Sequence, residues 1–303
     1  MTRTTRTTRT TPPRPVDVEA LFPELVPFRR EATRLHPRRG EPGVRDSSVG
    51  GPLLWPSAER WPHCADDHPV TRLSNPSEDP VPLVPVLQLY AADVPDLPFP
   101  PGTDLLQLLW CPYDHERYYA PWPELSWRAS GEVGDVLADP PRPADAPHTC
   151  LPEPCVVHPE RIVEYPRWDL PEELSQDLQE RFDRLKEQSG WSYWYALSVA
   201  PGVKVGGYPN WTQEPDWPGC PDCGRRMDHL LTVDSAEFDG GSAKTWLPVE
   251  DRPPGGEIRD LPYEQRKAVQ RAPGLMIGDM GGVYVFICSR CPKMPYDHRS
   301  DSS

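Results

Sequence analysis

A chain of 303 residues is long enough for one large domain or two fused halves, but 43 prolines, each fixing φ and removing a backbone donor, exclude a mostly helical fold. A net charge of −14 repels phosphate backbones, which argues against nucleic acid as a partner. No apolar run approaches the roughly eighteen residues of a membrane span, and the N-terminus lacks an apolar secretion segment; a cytoplasmic protein that meets no membrane, with its eight cysteines reduced, is expected.

Residues 1–15 repeat Thr-Thr-Arg and carry four arginines with no acid, so they are expected to form a disordered basic tail. Residues 16–135 read as a first half. It opens with an amphipathic helical segment (Leu21, Phe22, Leu25, Val26, Phe28) broken at Pro23 and Pro27, and continues with strands over 83–90 and 105–111. Residues 136–190 read as a proline-rich irregular connector followed by a helix over 171–190. In that helix Leu174, Leu178, Phe182 and Leu185 form one stripe and Gly190 closes the end, as expected of a surface helix packed on a sheet. Residues 191–298 read as a second half.

The chain aligns with itself. Val49, Gly50, Gly51, Trp55, Trp61, Pro62 and Cys64 meet Val205, Gly206, Gly207, Trp211, Trp217, Pro218 and Cys220, and the strand at 86–89 corresponds to 230–233 and that at 106–111 to 283–288. The expected fold is therefore α+β and β-rich, with internally duplicated antiparallel-sheet halves, zinc-knuckle turns and a connecting helix.

The chemistry lies in the cysteines. Cys220-x-x-Cys223 and Cys288-x-x-Cys291 supply four thiolates, the ligand set of a closed tetrahedral Zn²⁺ site that keeps no open position for water. Arg225, Arg226, Arg290 and Lys293 stand close enough in sequence to offset its charge. At the aligned positions the first half carries Cys64-x-x-Asp67-His68 and Cys111-x-x-Asp114-His115. The same change at both places suggests a second site with Cys64, His68, Cys111 and His115 as ligands, and Asp67 and Asp114 as hydrogen-bonding carboxylates; the alternative is two core cysteines with exposed histidines and no metal. Cys150 and Cys155 read as free thiols.

Lys204-Val-Gly-Gly-Tyr-Pro-Asn-Trp211, Cys220-Pro-Asp-Cys223-Gly224, Val86-Leu-Gln-Leu-Tyr90 and Val283-Tyr-Val-Phe-Ile-Cys288-Ser-Arg-Cys291 resemble the bacterial YwqG-like proteins and their eukaryotic relatives, the programmed cell death protein 2 family. The resemblance covers roughly residues 45–120 and 200–295. It implies a duplicated β-rich domain with zinc-binding knuckles in some members, and a chaperone or adaptor role in the eukaryotic ones.

No nucleophile elbow, His-Glu-x-x-His, phosphate loop or dinucleotide fingerprint is present, so no enzyme is expected. Eleven tryptophans, several beside proline or glycine (Trp55, Trp61, Trp122, Trp217), can fill cores or anchor a partner, and the acidic charge suits a basic protein. The function expected is a zinc-stabilised protein- or peptide-binding module, including chaperone or adaptor action. An immunity or stress protein that neutralises a toxin is the alternative, and an enzyme of unrecognised type the third.

Overall fold

In a computed structural model, residues 8–71, 79–115, 120–255 and 257–302 are described. Strands predominate: β1 (Arg30–Arg34), β2 (Arg38–Arg39), β3 (Ser48–Val49), β4 (His63–Cys64), β5 (Val81–Pro82), β6 (Val84–Tyr90), β7 (Leu105–His115), β8 (Ala120–Arg128), β9 (Cys155–Val156), β10 (Glu160–Glu164), β11 (Lys204–Gly206), β12 (Asp228–Asp234), β13 (Gly282–Ile287) and β14 (Tyr296–Asp301). The helices are α1 (Val18–Leu21), α2 (Glu172–Ser189), α3 (Ala243–Trp246) and α4 (Tyr263–Gln270), with short 3₁₀ turns between elements. No helix among the described residues is long and apolar enough to cross a membrane.

Two six-stranded antiparallel sheets form, in the orders β10-β1-β11-β12-β13-β14 and β2-β9-β3-β6-β7-β8. Their pairings follow the internal alignment residue for residue. Val49 faces Leu87 and Leu87 faces Leu108; at the aligned positions Val205 faces Leu231 and Leu231 faces Val285. Both long pairs carry a β-bulge at the same place, between Pro85 and Leu87 and between His229 and Leu231. The paired glycines serve the same turn, with φ between 66° and 80° at Gly50, Gly51, Gly206 and Gly207.

The boundaries read from sequence cut across this arrangement. β1 lies in the sheet of the second half, whereas β2, which starts four residues after β1 ends, lies in the sheet of the first; β9 and β10 make the reverse crossing. The stretch expected as an irregular connector thus supplies an inner strand to one sheet and an edge strand to the other. One apolar cluster, from Val49, Leu87 and Trp110 to Val205, Leu231 and Val285, runs through both sheets, so the halves share a core. The reason is geometric: β3 and β11 each have an open edge, and the crossing ribbons satisfy the backbone groups there.

Two terminal expectations also change. Met1 to Thr7 lie outside the described residues, but residues 8–14 are anchored rather than disordered. Thr10 and Thr11 bond the carboxylates of Glu250 and Glu160, and the Arg14 guanidinium donates to the Val163 and Leu197 carbonyls between the rings of Tyr165 and Trp246. These anchors are polar, so a search for apolar surface passes over them. The segment at 18–28 is α1 and one 3₁₀ turn, and α2 packs on it and on a π-helical turn at Tyr193–Leu197 rather than on a bare sheet. Phe182 stacks on Tyr193 with ring centroids 3.9 Å apart. Gly190 takes the left-handed conformation expected at the helix end, with φ 76°.

Charges are buried where the ribbons cross. The Glu164 carboxylate accepts from the Ala200 and Tyr208 amides, each at 2.9 Å, and from Lys204 Nζ, with both side chains of the ion pair fully buried. Gly207 makes room for it: an added Cβ would lie 2.2 Å from Glu164 Oε2 and 2.8 Å from Ala32 Cβ. Gly207→Ala is therefore expected to cost about 3 kcal/mol by chemical denaturation, against about 1 kcal/mol for Gly224→Ala, because Gly224 shares a positive φ of 68° but meets nothing within 4 Å.

His229, at the β12 bulge, lies with Nδ1 2.9 Å from the Gly206 carbonyl and Nε2 2.9 Å from Thr232 Oγ1. Burial, aided by the Lys204 charge, holds its pKa down at about 3. An unfolded histidine titrates near about 6.5. The unfolded chain therefore takes up a proton that the folded one refuses, and stability is lost as pH falls below that value. The loss from this group reaches about 3 kcal/mol near pH 4. Urea denaturation of His229→Gln across this range should show a correspondingly shallower fall than the native chain.

Candidate metal centres

The structure brings the eight expected residues together in two groups, Cys64, His68, Cys111 and His115, and Cys220, Cys223, Cys288 and Cys291. Within each group all four donor atoms lie within 4.8 Å of one another. Two Cys/His clusters able to hold a metal ion are therefore present, at equivalent ends of the two sheets.

The all-cysteine cluster joins two tight turns. Cys220 and Cys223 sit on a turn closed by Gly224 N–H to the Cys220 carbonyl and Cys220 N–H to the Arg225 carbonyl, both 2.8 Å, with Gly224 in the positive-φ conformation expected. Cys288 follows directly on β13, and its turn is closed by Cys291 N–H to the Cys288 carbonyl. The sulfurs of Cys220 and Cys291 lie 3.7 Å apart and those of Cys223 and Cys288 3.8 Å apart. Arg226 pairs with Asp169 at 2.9 Å and lies 3.5 Å over the Trp217 ring, so its charge serves a neighbouring ion pair.

The mixed cluster draws Cys64 from β4, His68 from the loop after it, and Cys111 and His115 from β7. A register shift between Cys111 and His115 in the β7–β8 pairing turns both toward the same point. His68 Nε2 lies 3.1 Å from Cys111 Sγ and 3.6 Å from Cys64 Sγ, and His115 Nε2 lies 3.9 Å from Cys64 Sγ. The histidines are thus not left apart from the cysteines. The hydrogen bond between the two thiols draws Cys64 down and pushes Cys111 up.

The carboxylate that pairs with an imidazole is Asp66, at His115, rather than the expected Asp67 or Asp114. Its Oδ2 lies 3.5 Å from His115 Nδ1, which favours a proton on Nδ1 and leaves Nε2 bare toward sulfur. Three acids near two histidines are not distinguishable by sequence, because which one reaches an imidazole depends on the loop's path. Cys150 and Cys155 are buried outside both clusters, and burial pushes both thiols up to about 12.

A matched tryptophan pair covers each cluster. Trp55 and Trp61 meet at 5.1 Å beside Cys64 and Cys111, and Trp211 and Trp217 at 6.1 Å beside Cys220 and Cys288. Trp55 and Trp61 are buried and Trp122 and Trp217 partly so, packed against these clusters, so they serve the interior and are not free anchors for a partner. Among the described tryptophans, Trp168 is the most exposed, at 37 %.

No family model matches the chain, and no curated protein matches it.

Proposed function

We propose that this chain is an internally duplicated zinc protein, with one ion in each cluster, whose acidic surface holds a basic polypeptide in a chaperone or adaptor role rather than in catalysis. The observation that carries the metal reading is the donor spacing. A tetrahedron with Zn–S of about 2.3 Å has S···S edges of about 3.8 Å, and with Zn–N of about 2.0 Å its S···N edges are about 3.5 Å. The measured edges are 3.7 and 3.8 Å between sulfurs, and 3.1, 3.6 and 3.9 Å between sulfur and nitrogen.

Thiolates and imidazoles suit zinc and not calcium or magnesium, which take oxygen donors. Four protein donors per cluster fill a tetrahedron, which supports a structural rather than a water-activating ion. The identical strand registers and bulges support descent of the halves from one copied unit. What supports kinship with the YwqG-like and programmed cell death protein 2 families is the motif set itself: paired glycines, covering tryptophans and cysteine turns at matching strand ends. Charge supports the partner's sign, with 46 acidic against 32 basic side chains.

Elemental analysis of the purified chain should find two zinc ions per molecule. One ion, or iron in place of zinc, overturns the metal reading. Cross-linked capture from the native cell should recover a basic protein that raised salt releases; a partner indifferent to salt overturns the electrostatic part.

A further inference from the structure

At matching ends of the two sheets, three aligned positions carry different chemistry. In the first half Leu54, Tyr90 and Leu105 pack with Val133 in an apolar cluster. Their counterparts in the second half are Asn210, Asp234 and Gly282. There the sheet end opens into a cavity of about 290 Å³, whose lining includes Arg167, Trp194, Tyr195, Asn210, Asp234 and Tyr284. Replacing three packed side chains by polar or small ones forfeits apolar burial, which leaves a space suited to a ligand.

Arg167 is the unusual group in this cavity. Its Nε is buried without an acceptor, and the guanidinium makes no hydrogen bond or ion pair with any described residue. It lies 5.9 Å from the Trp194 ring centroid and 5.1 Å from that of Tyr195. Burial lowers its pKa, partly offset by Tyr195, Tyr284, Asp239 and Asp301. By contrast, the buried Arg34 donates to the Trp246 and Glu237 carbonyls. A half-buried guanidinium whose Nε is cut off from water and which faces no carboxylate partner is relieved by an anion arriving from outside. The π-helical turn at Tyr193–Leu197 carries Trp194 and Tyr195 to the rim, where Tyr195 is 52 % exposed.

We propose that this cavity binds a free α-carboxylate carried on an aromatic body, from either an aromatic amino acid or the last residue of a peptide. The Arg167 fork takes the carboxylate, Trp194 and Tyr195 take the ring, and Asp234 with Asp239 takes the donor on the α-nitrogen. The peptide source rests on the polypeptide-binding reading above, whereas the free amino acid stands without it, and neither involves the metal clusters.

Titration calorimetry with phenylalanine, N-acetylphenylalanine and phenylalaninamide tests this. At least one of the two acids should bind with a dissociation constant of about 1 mM or tighter, and the amide at least about tenfold more weakly. Comparable binding of both acids assigns the peptide end; binding of phenylalanine alone assigns the free amino acid. Arg167→Gln should weaken the acids about tenfold or more with the melting temperature unchanged. Asn210→Leu, which restores the side chain of the other half, should block the cavity and abolish binding, and it serves if Arg167→Gln does not fold. Equal binding of the amide, binding unaffected by either variant, or no heat from any of the three compounds overturns the proposal.

Discussion

Cys220→Ser is expected to remove one metal equivalent and lower the melting temperature by about 10 °C, more than any other single cysteine change. Cys220 is 3 % exposed and packs among Trp211, Met227, Phe286 and Cys288. Its cluster ties the turn before β12 to the end of β13, so metal loss frees both strand ends and uncovers the apolar group beneath them. Structural zinc sites contribute folding free energy outright. In a chain of this size each kcal/mol moves the midpoint by about 2–4 °C, so a loss of about 4 kcal/mol gives the stated shift. Cys64→Ser should remove the other equivalent with a smaller shift, because Cys64 and His68 are only partly buried and His68 sits on a loop. Cys150→Ser, buried but outside both clusters, should leave the metal count unchanged. Retention of both ions in Cys220→Ser, or a melting curve indifferent to chelator, would sink the structural role.

Lys204→Met should destabilise the protein by about 3–5 kcal/mol, because it leaves Glu164 buried with its charge uncompensated. Two backbone amides still reach that carboxylate and offset part of the loss. Combining Lys204→Met with Glu164→Gln should therefore cost clearly less than the sum of the two single changes, by about 2 kcal/mol of coupling. Urea denaturation of the four proteins at neutral pH measures it. Strict additivity would mean that the pair contributes little where the ribbons cross. The pair binds β10 to β11 through the strand between them, so the same variants report how firmly the exchanged ribbon is held.

Much of the metal chemistry was legible because it is local. A Cys-x-x-Cys turn constrains two donors by its own backbone, and an internal alignment shows which turns must face each other. The same alignment matched the strands of one half to those of the other, and the registers the structure shows keep that match because a slip by one residue would turn the apolar face outward. Tryptophan placement was not legible in this way: an indole beside proline reads alike whether it covers a buried thiol or meets a partner. The pairing of Asp66 with His115 and the anchoring of Arg14 were hidden for a related reason, since each depends on a carbonyl or imidazole more than forty residues away.

By itself the amino-acid sequence determined that strands would dominate, that the halves would share a pattern, and which eight side chains would gather as donors. Only the tertiary structure decided that the first half lends β1 to the second half's sheet while the connector gives a strand to each, that one core serves both, and that the second half keeps a cavity where the first is packed shut. Those outcomes depend on which open strand edge a ribbon reaches and on how volumes add up across distant segments. Pattern along a chain carries neither.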